Sequence, residues 1–114
     1  MVMNYLNLKN KRGAIMKEDL LKIINHYGVL TQLKYFQTEI FELNEAIINA
    51  EYNGSQPLDE EIDHITEEIA DVLVMLRQFF EYYYIDEGEV YKIFATKIAR
   101  QIERIEKEGD DKNV

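Results

Sequence analysis

The stretch YFQTEIFELNEAI, residues 35–47, has the clearest structural pattern in this chain of 114 residues. Its apolar side chains recur at intervals of three and four residues, which predicts an amphipathic α-helix. They are Phe36, Ile40, Leu43 and Ile47. Glu39 and Glu42 fall at the edge of this apolar stripe, although a helix usually keeps its carboxylates on the opposite face. Either these two side chains extend to water, or they bind a cation.

The sequence on both sides of this stretch predicts an all-α protein. Gly occurs five times, Pro once, and no segment alternates as a strand would. We expect four helices, over residues 17–27, 31–52, 59–84 and 89–108. Gly28 fits the end of the first, Asp59 the N-cap of the third, and NGSQP and IDEG fit the intervening breaks. Short connections favour a compact antiparallel bundle of about four helices.

The two ends of the chain differ from this helical domain, which we assign to residues 16–108. Residues 1–15 are basic and show little helical pattern. We interpret them either as a disordered extension or as a segment that precedes a native start at Met16. We predict that residues 109–114, at the C-terminal end, form a flexible tail.

Composition excludes several classes of protein. A net charge of −9 argues against binding to nucleic acid through its phosphates, and the absence of cysteine excludes disulfides and cysteine-ligated zinc. No apolar run approaches the ~20 residues of a membrane span, and no signal peptide is evident. We therefore expect a cytoplasmic protein with no membrane partner. A phosphate-bearing substrate stays possible, because bound divalent cations reverse the local charge.

A second pair of carboxylates lies in the third predicted helix. Glu68 and Asp71 border its apolar stripe and have the same i, i+3 spacing as Glu39 and Glu42. If the two helices pack antiparallel, the pairs converge into an oxygen-only site, which suits Mg²⁺, with Mn²⁺ as an alternative. The competing interpretation is a solvated acidic face, since the chain has 22 acidic residues.

The other charged motifs allow two interpretations each. On the fourth helix, Lys97, Arg100 and Arg104 share one side, which suits phosphate binding or surface ion pairs. Glu61 and His64 have the E-x-x-H spacing of di-iron bundles, but the only other histidine, His26, has no matching glutamate. His64 therefore fits a boundary residue, or at most a side chain that supports a metal ligand.

Two helices carry apolar residues away from their main stripe. In the second and third helices these are Phe41, Ile48 and Val74. A helix that is apolar on two sides needs a second partner, and in so small a chain we expect that partner to be another subunit.

Two segments in this order, TEIFELNEAI and EEIADVLVML, resemble the all-α, MazG-like nucleoside triphosphate pyrophosphohydrolases. Glu39, Glu42, Glu68 and Asp71 match four of the family's acidic positions, and the segments before and after them are also similar, over about residues 24–105. Thr38 departs from the pattern, because the family usually has a glutamate there.

The resemblance implies Mg²⁺-dependent hydrolysis between the α- and β-phosphates of a nucleoside triphosphate. It implies that the four matching carboxylates hold the metal and that Glu39 or Glu42 orients the attacking water. Lys97, with Arg100 and Arg104, would neutralise the phosphates. For Gln32 two interpretations stay open: a hydrogen bond to the base or sugar, or an ordinary position in the core or on the surface. The resemblance also implies a homodimer or homotetramer. The alternative, favoured by Thr38, is a catalytically silent module that binds nucleotide or protein on the same scaffold.

Overall fold

The computed structural model describes the backbone of residues 5–52, 54 and 56–112, and the side chains of residues 16–52, 54 and 56–109. Within these ranges the protein is all-α, as predicted. The four helices are α1 (Tyr5–Tyr27), α2 (Val29–Tyr52), α3 (Asp59–Tyr82) and α4 (Glu87–Lys112). They form two compact units, divided between Tyr83 and Tyr84. In the first unit, α1, α2 and α3 pack on one another as a bundle, and α4 belongs to the second.

Gly28 alone separates α1 from α2. Its φ of +91° is a left-handed conformation that favours glycine, and its N–H donates to the Ile24 carbonyl at 2.8 Å, which completes the last turn of α1. Its own carbonyl accepts from the Gln32 N–H at 3.0 Å, so α2 begins at once. The prediction of a helix end at Gly28 agrees with this geometry.

The starts of α3 and α4 show how acidic side chains fix helix ends. Leu58 is the N-cap of α3, one residue before the predicted Asp59, because its N–H donates to the Glu61 carboxylate at 2.9 Å. Asp86 is the N-cap of α4, and its side-chain Oδ1 accepts a hydrogen bond from the Glu89 N–H at 3.2 Å. A carboxylate at the start of a helix is also stabilised by the positive end of the helix dipole.

The ends of the chain are more helical than expected. The backbone of α1 is helical from Tyr5, not from about Lys17, and α4 continues to Lys112, beyond the predicted end at Glu108. Gly13 and Gly109 therefore do not interrupt their helices, consistent with a cost of only ~1 kcal/mol for glycine within a helix. Residues 1–4, 113 and 114, and Asn53 and Ser55 of the predicted turn, lie outside the described residues.

The inward faces of α2 and α3 differ from the apolar stripes that the sequence suggested. On α2 the buried residues are Gln32, Ala46 and Ala50, and on α3 they are Glu68, Met75 and Gln78. Members of the predicted stripes, such as Ile40, Ile69 and Leu73, are 43 to 51% exposed. These apolar stripes are therefore only partly covered within the described chain. Small alanines let the two helices approach closely along a polar seam.

Candidate metal centre

The seam between α2 and α3 runs antiparallel. Gln32, near the start of α2, contacts Gln78, near the end of α3, and Phe36 packs edge-on against Phe79 with ring centroids 5.6 Å apart. Further along α2, Glu39 and Glu42 therefore meet the earlier part of α3. Because the two carboxylates of each helix are three residues apart, they lie on the same helix face in successive turns.

Three of the four predicted acidic side chains meet in this seam. Oxygen atoms of Glu39, Glu42 and Glu68 all lie within 4.8 Å of one another. Among the described residues, this is the only such group of three or more side chains that could ligate a metal. Asp71 is exposed and lies outside this group, but its charge acts on both Glu39 and Glu68. The structure thus brings both predicted pairs to one region, with Asp71 at its edge.

Two carboxylate oxygens in this group are buried without a partner. They are Oε2 of Glu39 and Oε2 of Glu68, and neither accepts a hydrogen bond within the described part of the chain. Glu68 is only 8% exposed. A buried charged group that lacks a partner is strongly unfavourable, so these atoms need a proton, a water or a cation.

The electrostatics of the group agree with its geometry. Burial is the largest cause that raises the pKa of Glu39 above its ordinary value, followed by the charges of Glu42, Asp71 and Glu68. Burial likewise raises the pKa of Glu68, followed by the charges of Glu42 and Asp71, and His64 opposes the shift. A bound cation would relieve both the desolvation and the repulsion. All the grouped ligand atoms are oxygens, which fits Mg²⁺ or Mn²⁺.

Thr38 contributes no carboxylate at the position where the family that the sequence resembles usually has a glutamate. Its hydroxyl donates to the Lys34 carbonyl at 3.3 Å within α2, and its side chain is exposed. The centre is therefore built from the remaining carboxylates.

The predicted phosphate-binding residues lie on α4, in the second unit. Lys97 and Arg100 line a shallow groove along that helix together with Lys92, Ile93 and Thr96. Lys97, Arg100 and Arg104 are exposed, and none pairs with an acidic side chain of the described residues. On the same helix, Glu103 pairs with Lys107, whose Nζ lies 3.6 Å from the Glu103 carboxylate.

Gln32 is buried in the seam. It is 4% exposed, and its Nε2 donates to Oε1 of Gln78 at 2.8 Å, while its own Oε1 has no partner among the described residues. The sequence suggested Gln32 as a contact for a base or sugar, but it did not identify Gln78 as a residue of this site. The signal was present, because Gln78 follows Asp71 by seven residues and so shares its side of α3.

The E-x-x-H pair of α3 is divided between two roles. Glu61 accepts the hydrogen bond that starts α3, whereas His64 turns towards the carboxylates, with Nε2 4.0 Å from Oε1 of Glu68. The pair therefore offers no joint metal site of the di-iron kind.

Within the described residues, no helix is both long and apolar enough to span a membrane. Comparisons of the chain with models of known protein families, with curated proteins and with solved structures find no match.

Proposed function

We propose that this protein is a Mg²⁺-dependent nucleoside triphosphate pyrophosphohydrolase. The observation that carries the proposal is the group of Glu39, Glu42 and Glu68, whose oxygens lie within 4.8 Å of one another and include two buried atoms without a partner. Such a group fits a hard divalent cation, which in turn favours a substrate that brings phosphate oxygens.

The metal ligands in this proposal are the three grouped carboxylates, with Asp71 as the fourth. Mg²⁺ keeps part of its water shell and shares its site with substrate phosphates, and when bound it supplies charge neutralisation and a more acidic water. Mn²⁺ has similar ligand preferences and can replace it. Partial burial of the carboxylates strengthens their interaction with such an ion.

The chain's own residues then divide the remaining tasks. Glu39 or Glu42 orients a water molecule and accepts its proton as the water oxygen bonds to phosphorus. The anhydride bond between the α- and β-phosphates breaks, and the products are a nucleoside monophosphate and pyrophosphate. The exposed cations Lys97, Arg100 and Arg104 have no ion pairs among the described residues, which supports a role for them in neutralising phosphate charge.

A symmetric oligomer is the second part of the proposal. The core of the described chain has only four buried apolar residues: Ile24, Ala46, Ala50 and Met75. Large apolar side chains on α2 and α3 stay exposed, and these include Phe41 at 60% and Leu73 at 51%. Exposed large apolar side chains of this kind favour an interface, and a second copy of the chain offers matching side chains in a closed dimer or tetramer.

Release of pyrophosphate from a panel of ribo- and deoxyribonucleoside triphosphates with Mg²⁺ tests the activity. We expect turnover by the native protein and a loss on the order of 100-fold or more in Glu68→Ala. Glu67→Ala is the matched control, because it removes an exposed carboxylate from the adjacent position of α3. Native protein that releases no pyrophosphate from any nucleotide would overturn the proposal.

A catalytically silent nucleotide-binding module is the second candidate. The observation in its favour is Thr38, whose hydroxyl bonds within its own helix in place of an additional carboxylate. Equilibrium binding of a non-hydrolysable triphosphate analogue separates the two candidates. Tight Mg²⁺-dependent binding without turnover of the matching nucleotide would establish the silent module.

A further inference from the structure

The pair of helices α2 and α3 has two chemically different sides. Glu39 and Glu68 lie in the seam and so mark the direction in which each helix faces the other. Six large aliphatic side chains lie roughly 80–140° around their helices from this direction, all in the same rotational sense. In antiparallel helices the same rotation leads to the same side of the pair, so these six form one aliphatic face. They are Leu33, Ile40, Ile47, Ile62, Ile69 and Leu73, each 42 to 51% exposed.

The aliphatic face carries no charge, although 31% of the residues of the chain are charged. The exposed polar residues that border it over residues 33–47 and 62–73 are Gln37, Asn44 and Thr66, which are neutral. The same helical geometry places charged residues on the opposite side of the pair. These include Lys34, Glu45, Asp63, Glu67 and Asp71. Depletion of charge distinguishes the core of a protein–protein interface from the rest of a protein surface.

We propose that the aliphatic face packs against the same face of a second copy of the chain, around a two-fold axis. The two pairs of helices then form a four-helix core shared by two subunits. A two-fold contact uses one self-complementary surface twice and closes after two copies. Aliphatic side chains without charge meet this requirement, because neither copy brings an ion that needs a partner.

The size of the face suits a second copy. Each helix has 24 residues and is therefore about 36 Å long, and two adjacent helices are about 20 Å wide. The face thus covers roughly 700 Å², close to the ~800 Å² that each partner contributes to a stable interface. A short peptide would leave much of this surface exposed, whereas a second pair of helices has the same dimensions.

The inference names the interface of the symmetric oligomer proposed above, and it rests on that part of the proposed function alone. It also keeps the acidic centre apart from the interface. Glu42 and Asp71 lie about 60° around their helices from the seam, in the sense opposite to the aliphatic face. Each subunit therefore presents its carboxylates on the charged side of the pair, where the second copy does not cover them.

The competing interface consists of the other exposed apolar residues. Phe41, Ile48 and Val74 are 60%, 41% and 46% exposed. Phe41 and Ile48 lie on the side of α2 that points away from α3, so Val74 of α3 does not extend their surface. Charged residues also lie beside them on α2, including Glu45. This second set therefore offers a smaller and more interrupted surface.

Thiol crosslinking tests the interface directly, because the chain has no cysteine and each variant then reports one position. Ile40→Cys and Ile69→Cys place a thiol near the middle of the aliphatic face from two different helices. Phe41→Cys is the matched control, since it is the next residue of α2, about 100° around the helix, and more exposed. With a short bismaleimide, in chelator and without nucleotide, we expect about tenfold more covalent dimer from Ile40→Cys and Ile69→Cys than from Phe41→Cys.

A monofunctional maleimide shows that each thiol is reactive, and circular dichroism shows that each variant keeps its helices. One folded variant of the two is sufficient for the test. Equal dimer yields at all three positions, or none at Ile40→Cys and Ile69→Cys, would overturn the inference. Dimer from Phe41→Cys alone would assign the contact to the competing surface. No nucleotide or metal is present, so a protein that releases no pyrophosphate yet crosslinks as expected contradicts only the proposed activity.

Discussion

Gln32 of α2 and Gln78 of α3 are joined by a buried hydrogen bond of 2.8 Å, and the two residues are only 4% and 1% exposed. Gln32 precedes Glu39 by seven residues, which is about 10 Å along the helix. Gln78 also lies close to Met75, whose sulfur accepts from its Nε2 at 3.5 Å. A buried polar pair in a seam of this kind favours one alignment of the two helices, and that alignment brings the carboxylates together.

Replacing one glutamine of this pair should lower the free energy of unfolding substantially, whereas replacing both should lower it only slightly. Gln78→Leu leaves the buried amide of Gln32 without its partner, so we expect a loss of about 1–3 kcal/mol in the free energy of unfolding. The double variant Gln32→Leu/Gln78→Leu should recover most of this loss, because no unpaired amide remains. Urea denaturation of the native protein, both single variants and the double variant measures the coupling. Additive losses would show that the two amides do not depend on each other.

The raised pKa values of Glu39 and Glu68 predict how stability varies with pH in the absence of metal. A carboxyl whose pKa is higher in the folded state than its ordinary 4.5 stabilises the fold below that value, and this contribution is lost as the pH rises through the raised pKa. Glu68→Gln removes the charge, so we expect it to raise the melting temperature at neutral pH in chelator. The advantage should shrink towards zero as the pH falls below about 4.5.

Thermal melts of the two proteins between acidic and neutral pH check this expectation. Glu67→Gln is the control, since it neutralises an exposed carboxylate at the next position of α3. Added Mg²⁺ should reverse the order at neutral pH, because saturation at 100 times the dissociation constant stabilises the native protein by about 2.7 kcal/mol. A Glu68→Gln variant that is less stable than the native protein in chelator at neutral pH would contradict the assignment of an electrostatically strained centre.

Local signals in the sequence predicted the four helices, apart from their extent at the two ends of the chain, and the faces on which the acidic residues lie. Gly28 marks a helix end because its left-handed conformation is available mainly to glycine, and the short link it forms makes α1 and α2 neighbours. The i, i+3 spacing of Glu39 with Glu42 places both on one face whatever the tertiary structure. The meeting of these residues with Glu68 then needs α2 and α3 to run antiparallel and in the register that the bond between Gln32 and Gln78 marks.

The inward face of each helix was not predictable in the same way. Periodicity locates an apolar stripe but does not say whether that stripe packs within the chain or against another molecule. Here Ala46 is 4% exposed, whereas the much larger Ile47 beside it is 42% exposed. The bond between Gln32 and Gln78 was also beyond prediction, because it depends on the register of two helices and not on either sequence alone.

The exposed apolar faces of α2 and α3 predict that the protein is larger than a monomer in solution. A stable protein–protein interface buries about 1,200–2,000 Å², which requires surface of the kind these helices leave uncovered. Leu73→Glu places a charge on such a face, so we expect sedimentation velocity to show a shift towards monomer. Glu67→Lys changes the charge at an exposed site roughly 120° around α3 from Leu73 and should leave the mass unchanged. Native protein that sediments as a monomer at micromolar concentration would contradict the proposed assembly.

Replacing glycine by alanine should change the free energy of unfolding in opposite directions at Gly28 and Gly109. Neither has an atom within 4 Å of an added Cβ, so only backbone conformation matters. At Gly28, with φ of +91°, alanine is strained, and we expect Gly28→Ala to lower the free energy of unfolding by about 1 kcal/mol. Gly109 lies within α4, where alanine has the higher helix propensity, so Gly109→Ala should stabilise by up to about 1 kcal/mol. Urea denaturation in chelator compares the two variants with the native protein, and changes of the same sign would mean that Gly28 does not hold the left-handed conformation that joins α1 to α2.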